Sequence, residues 1–158
     1  LRTCPLRGER DPKVARLAAH RLFADLRHDA LVDVAATVET VDLPAGALLA
    51  RQGAAAREVF AIAAGTVAVV ADGDHVATLT DGDVVGELGV VDDRPRNADI
   101  VALSDVVAFV VDVRALRSLR TRVPSVGRRI DGVAAVRRED VAALRGDVGP
   151  GKSPRRAA

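Results

Sequence analysis

Residues 84–99 read Val-Val-Gly-Glu-Leu-Gly-Val-Val-Asp-Asp-Arg-Pro-Arg-Asn-Ala-Asp. Gly86 and Gly89 let the backbone come close to another group. A short helix from Glu87 to Val91 would open with N–H groups that have no partner inside the helix, at the dipole end that favours an anion. Arg96 carries a planar fork of donors suited to oxyanions. Glu87, when ionised, accepts from hydroxyls. Each type also has an ordinary use. Arg96 could pair with Asp92, Asp93 or Asp99 on a loop. Glu87 could simply be an acid in a first helical turn, and the glycines could simply mark turns.

The elements that must position this stretch follow from hydrophobic spacing. Helical spacing covers Asp11 to Phe23, with Asp11 as N-cap and Pro12 in the first turn. A second short helix is expected from Asp29 to Ala36. At Thr37 the texture changes to short, Val-rich strands: Thr37–Leu43, Ala47–Ala50, Val59–Ala63, Thr66–Ala71 and His75–Leu79. Asp72-Gly73 between two β-rich runs is a strong hairpin signal. After the 84–99 segment come strands Ile100–Leu103 and Val106–Val111. Close strands with Gly, Asp or Pro between them indicate an antiparallel barrel or jelly roll, not a βαβ sheet. Helix returns over Arg114–Arg122 and then along Val126, Ile130, Val133, Val136, Val141 and Leu144, with Ser125 as a possible cap and Gly132 as a weak point. The expected fold is mainly β: a double-stranded β-helix (jelly-roll) barrel with helices before and after it. The divisions are a helical segment 1–36, a barrel 37–112, helices 113–146 and a disordered tail 147–158.

Composition narrows the function. The chain has 158 residues, 49% of them apolar and only 2% aromatic, with net charge +1. No global field points to nucleic acid or membrane, and the aromatic platforms of single-strand binders are missing. Cys4 is the only cysteine, which excludes an internal disulfide and fits a cytoplasmic setting. No apolar run reaches membrane-spanning length. The start at Leu1 and the lack of Met suggest a piece of a longer chain.

The 84–99 segment resembles the phosphate-binding cassette of the cyclic-nucleotide-binding family, which includes catabolite activator proteins, regulatory subunits of cAMP-dependent protein kinase and gating domains of channels. Gly86, Glu87, Leu88, Gly89, Pro95, Arg96 and Ala98 carry the match. Pro44-Ala45-Gly46, Arg51-Gln52-Gly53, Val59 to Gly65 and Asp81-Gly82-Asp83 fit the family's looser turns and strands. The resemblance implies a regulatory sensor domain, not an enzyme, whose ligand is cAMP or cGMP, with cAMP expected. It implies that Arg96 and the amides after Gly86 hold the phosphate and that Glu87 holds the ribose hydroxyl. Leu88, Gly89, Asn97 and Ala98 complete the site. Asn97 stands where the family commonly has Ser, Thr or Ala. The last helix would close over the base through Ile130, Val133 or Val136 and pass the signal to an attached effector domain or a partner. A helix-mediated homodimer is a further expectation.

The residues also admit three other readings. A degenerate domain would keep the fold as an interaction or dimerisation module without a ligand. Asp99 supports it: strand alternation puts Asp99 on the face of Asn97, and like charges about 4 Å apart repel by about 4 kcal/mol in an intermediate dielectric. A metal-dependent cupin needs converging histidines, but His20 and His28 lie in the helical prefix and His75 beside a hairpin. A DNA-binding helix pair would need more chain than follows Leu119. The basic residues Arg128, Arg129, Arg137 and Arg138 then read as a solvated helix face, with no direct nucleic-acid contact.

Overall fold

The computed structural model describes residues 11–144. The tail assigned to 147–158 lies outside them. The chain runs α1 (Pro12–Ala19), α2 (His28–Thr37), β1 (Glu39–Leu43), β2 (Leu48–Ala50), β3 (Glu58–Ala64), β4 (Val67–Ala71), β5 (Asp74–Leu79), β6 (Val84–Val85), α3 (Glu87–Asp92), β7 (Asp99–Ala102), β8 (Val106–Asp112), α4 (Val113–Arg122) and α5 (Pro124–Leu144). The strands form two four-stranded sheets, β1-β8-β3-β6 and β2-β7-β4-β5, with every pairing antiparallel. This is the jelly roll expected from the strand spacing.

The core has two parts that share the β3–β8 sheet. Phe60, Ile62, Val106 and Ala108 face Val67, Ile100 and Ala102 of the other sheet. Val59, Ala61, Phe109 and Val111 face the helices, against Leu17, Phe23, Val34, Leu116, Leu119 and Ile130. β3 is therefore buried on both faces, and its sequence is a continuous apolar run instead of an alternation. With so few aromatics, Phe23 and Phe109 meet edge-on at 6.1 Å in the helical half, a geometry that adds about 0.5–1.5 kcal/mol beyond their burial.

Three features of the helices depart from the sequence reading. α1 stops at Ala19 and does not reach Phe23. The His20 ring Nδ1 accepts the Leu22 N–H at 3.0 Å, and the resulting turn drops Leu22 and Phe23 into the core. Ser125 is no cap, because α5 already begins at Pro124, whose fixed φ suits a first helical position. Gly132 does not interrupt α5. Val126, Ile130 and Ala134 on one face are fully buried, which outweighs the roughly 1 kcal/mol cost of an interior glycine.

Among the described residues, no helix is long and apolar enough to cross a membrane. Nor does any group of three or more His, Cys, Asp or Glu there sit where it could hold a metal ion.

Candidate functional site

β6 pairs with β3 through Phe60 and Val85 and delivers the chain to Gly86. Gly86 has φ +84°, and a Cβ on it would lie 2.5 Å from Arg96 Nη1. The left-handed conformation disfavours any side chain there, and a Cβ would also push on the Arg96 guanidinium. α3 follows directly. Gly89 inside it is packed so tightly that a Cβ would meet Ala56 Cβ at 2.5 Å and the Arg94 carbonyl at 2.9 Å. The Arg94 N–H closes the helix end on the Gly89 carbonyl at 2.9 Å.

Arg96 is held from both ends. Its backbone N–H donates to Ala54 O, and its carbonyl accepts from Gly53 N–H, each at 2.8 Å. Its guanidinium donates from Nη1 to Gly86 O and from Nη2 to Glu58 O, both at 2.7 Å, and lies 5.9 Å from the Phe60 ring centre. The residue is only 7% exposed, yet among the described residues it forms no ion pair. None of Asp92, Asp93 and Asp99 is its partner, contrary to the ordinary reading of a loop arginine. Burial pushes the guanidinium below its usual value. The nearby charges of Glu58 and Glu87 pull against that, but a buried cation hydrogen-bonded only to carbonyls is incompletely compensated.

Glu87 is 1% exposed and is gripped by Arg137 of α5, whose Nη1 donates to Oε1 at 2.9 Å and to Oε2 at 2.8 Å. Burial pushes the carboxyl up, and Arg137 pulls against that. Beside this pair, Arg138 makes a two-point pair with Asp92 at the far end of α3. Arg129 donates to the carbonyls of Leu22 and Ala24. The solvated basic face read from the sequence is thus, at three of its four positions, a set of ties across to α3 and to the turn after α1. Its signal lies in the spacing: Arg137 and Arg138 fall three and four residues after the buried Ala134, so they share its inward side.

These groups border one cavity of about 530 Å3, lined by Gly86, Glu87, Leu88, Gly89, Arg96, Asn97, Ala98 and Arg137 at one end. Val69, Ala71, Val76, Leu79 and Ile100 line the rest, with Asp72 and Asp74 at the hairpin tip. All seven residues singled out in the sequence are brought together. The apolar wall and Arg137 were missed.

Two expectations are corrected. Asp99 does not line the cavity; its Oδ1 accepts the Gln52 N–H at 2.6 Å. β7 begins only at Asp99, so strand alternation does not extend back to Asn97. The apolar lid from the last helix is also absent from the cavity. Ile130 is buried in the helical core, and Val133 and Val136 line a different cleft. Arg137 is what α5 contributes here.

A family model described as "Cyclic nucleotide-binding domain" matches residues 40–122. The Pycsar effector protein XpPycTIR of Xanthomonas perforans is 35% identical over 125 residues, 78% of this chain and 41% of that protein. A solved cAMP-binding acyltransferase from Mycobacterium smegmatis is 32% identical, with TM-score 0.59 over 68% of this chain and 35% of that one. The Thermus thermophilus catabolite activator protein shares the fold, with TM-score 0.67 at 23% identity over 80% of this chain and 62% of that one. The chain spans about two fifths or less of the first two relatives. The family match covers more than half of the 158 residues, and the chain belongs to the cyclic nucleotide-binding domain family, as a regulatory domain of that fold.

Proposed function

We propose that the 530 Å3 cavity binds cAMP and that α5 carries the signal to an attached effector. The observation behind this reading is Arg96, a buried cation with no carboxylate partner among the described residues, at one end of a cavity that also has an apolar wall of Val69, Ala71, Val76, Leu79 and Ile100. The phosphate would take the guanidinium donors not used on Gly86 O and Glu58 O, together with the N–H groups that open α3. The ribose 2′-hydroxyl would donate to Glu87, which keeps Arg137 as its counter-ion. The base would lie along Val69, Ala71, Val76, Leu79 and Ile100. Among the described residues, no Ser or Thr hydroxyl lines the cavity. Guanine, with more polar groups on its edge, loses more on desolvation there than adenine does. The acyltransferase relative is named as cAMP-binding, which agrees with this choice.

The route to α5 is short. Glu87, the proposed ribose contact, is bonded directly to Arg137, so a change at the ribose alters the force on α5. Ligand then shifts α5 between two arrangements to the extent that it binds one of them better.

The degenerate reading has one observation in its favour: both charged groups of the site are already bonded within the protein. It has lost the support of Asp99, which is turned onto the Gln52 turn. Calorimetric titration with cAMP, cGMP and 5′-AMP separates the two. cAMP is expected to bind in the micromolar range, cGMP more weakly, and 5′-AMP weakest, since its open phosphate lacks the ring that holds phosphate and ribose in one geometry. No heat and no thermal stabilisation with any of them would establish the degenerate module.

A further inference from the structure

Arg137 borders a second concave surface as well as the nucleotide cavity. A cleft of about 530 Å3 lies between the turn after α1, the loop before β6 and the outer side of α5. Leu22 and Val84 are the buried apolar residues along it, and Val133 and Val136 supply the α5 wall. Val136 is 60% exposed, the most of any large apolar side chain described. A Cβ on Gly132 would meet nothing within 4 Å, so α5 presents bare backbone to the cleft.

The rim is cationic. Among the described residues, Arg21, Arg129 and Arg137 line it against one carboxylate, Asp83. Asp83 is engaged already: its Oδ2 accepts the Thr80 N–H at 2.9 Å, and its Oδ1 lies 3.6 Å from Arg21. An exposed pair at that distance neutralises little. Arg129 is fixed by carbonyls and forms no ion pair among the described residues.

We propose that this cleft docks a short acidic–apolar segment of a partner protein. An apolar side chain of the segment packs against Leu22, Val84, Val133 and Val136, and its carboxylates face Arg21 and Arg129. The chain's own flanking segments, 1–10 and 145–158, do not fit, because each carries more Arg and Lys than Asp and Glu and the rim repels them. Arg137 lies on the wall of both cavities, so the two sites share a side chain and their affinities are coupled in both directions. This coupling rests on the nucleotide reading above; the docking surface does not.

The probe is a fluorescein-labelled synthetic peptide that alternates Leu with Asp and Glu, beside a counterpart with Lys at every acidic position. Anisotropy titrations use the full 158-residue chain without nucleotide. Saturable binding of the acidic peptide is expected, weakening as salt rises, with none by the Lys peptide. Gly132→Leu fills the cleft from an open position, and Arg21→Glu reverses a rim charge whose side chain is 75% exposed. Each is expected to weaken the peptide about tenfold or more, with the thermal midpoint maintained. Equal binding of both peptides, no binding, or unchanged binding to a folded Gly132→Leu variant overturns the docking surface. Peptide binding in a chain that takes up no nucleotide supports the docking surface and overturns only the nucleotide reading. A cAMP affinity that does not move at saturating peptide overturns the coupling.

Discussion

Arg96 and Glu87 are opposite charges placed within one buried stretch, and each is answered differently. Arg96 rests on two carbonyls; Glu87 has a guanidinium. Arg137→Ala leaves Glu87 buried without its cation, and a cost toward the low end of about 3–5 kcal/mol is expected, since Arg137 itself is partly exposed. The pH sign follows from the raised carboxyl. Between the ordinary carboxyl value and the raised one, the native fold holds a proton that the unfolded chain has released, so stability is lost as pH rises through that window. Without Arg137 that loss grows, and the variant should gain stability on mild acidification. Adding Glu87→Gln should restore it at neutral pH, as read by urea unfolding. His20 has the opposite sign. Burial lowers it from 6.5, and its Nδ1 must stay bare to accept from Leu22. Its contribution is complete above the unfolded value and is lost as pH falls below it. In His20→Asn, whose Oδ1 can accept the same N–H, the loss of thermal stability between about pH 7 and 5 should flatten. Asp99→Asn keeps an acceptor for the Gln52 N–H and removes the charge. If Asp99 faced the phosphate, affinity would rise steeply; the account expects no gain by calorimetry.

At the scale of elements, the cassette is a strand end, a glycine, a helix of less than two turns and a return loop. Gly89→Ala is a clean probe of it, because the new methyl strikes Ala56 and the Arg94 carbonyl and α3 must shift. A loss of about 1–3 kcal/mol is expected, seen as a lower thermal midpoint. The cassette was legible in the sequence because its chemistry sits in consecutive residues with fixed spacing. α5 was legible only as a helix. Its charged face looked solvated because the partners of Arg129, Arg137 and Arg138 are far away in sequence, and periodicity reports a face without naming what lies opposite. The His20 turn was illegible for a related reason: a side-chain acceptor ended α1 inside a stretch whose apolar spacing still suited a helix.

At the scale of the whole molecule, the jelly roll was readable from strand spacing and turn residues such as Asp72-Gly73. The sheet order was not, because nothing in β3 names β8 and β6 as its neighbours. β6 itself was hidden, since two residues carry no alternation. The apolar wall of the cavity was missed because Val69, Ala71, Val76 and Leu79 read simply as strand residues of a hairpin; only the fold shows that this part of the hairpin faces Arg96 across a space. The central claim is that this space holds a cyclic nucleotide with its phosphate on Arg96. The most direct test is calorimetric titration of cAMP into the wild-type chain and into Arg96→Ala, with folding of the variant confirmed by its unfolding transition. The loss of charge-assisted bonds worth about 1.5–3 kcal/mol each predicts an affinity lower by at least tenfold, and by more than a hundredfold if two such bonds are lost. Equal cAMP affinity in the two folded proteins would contradict the account.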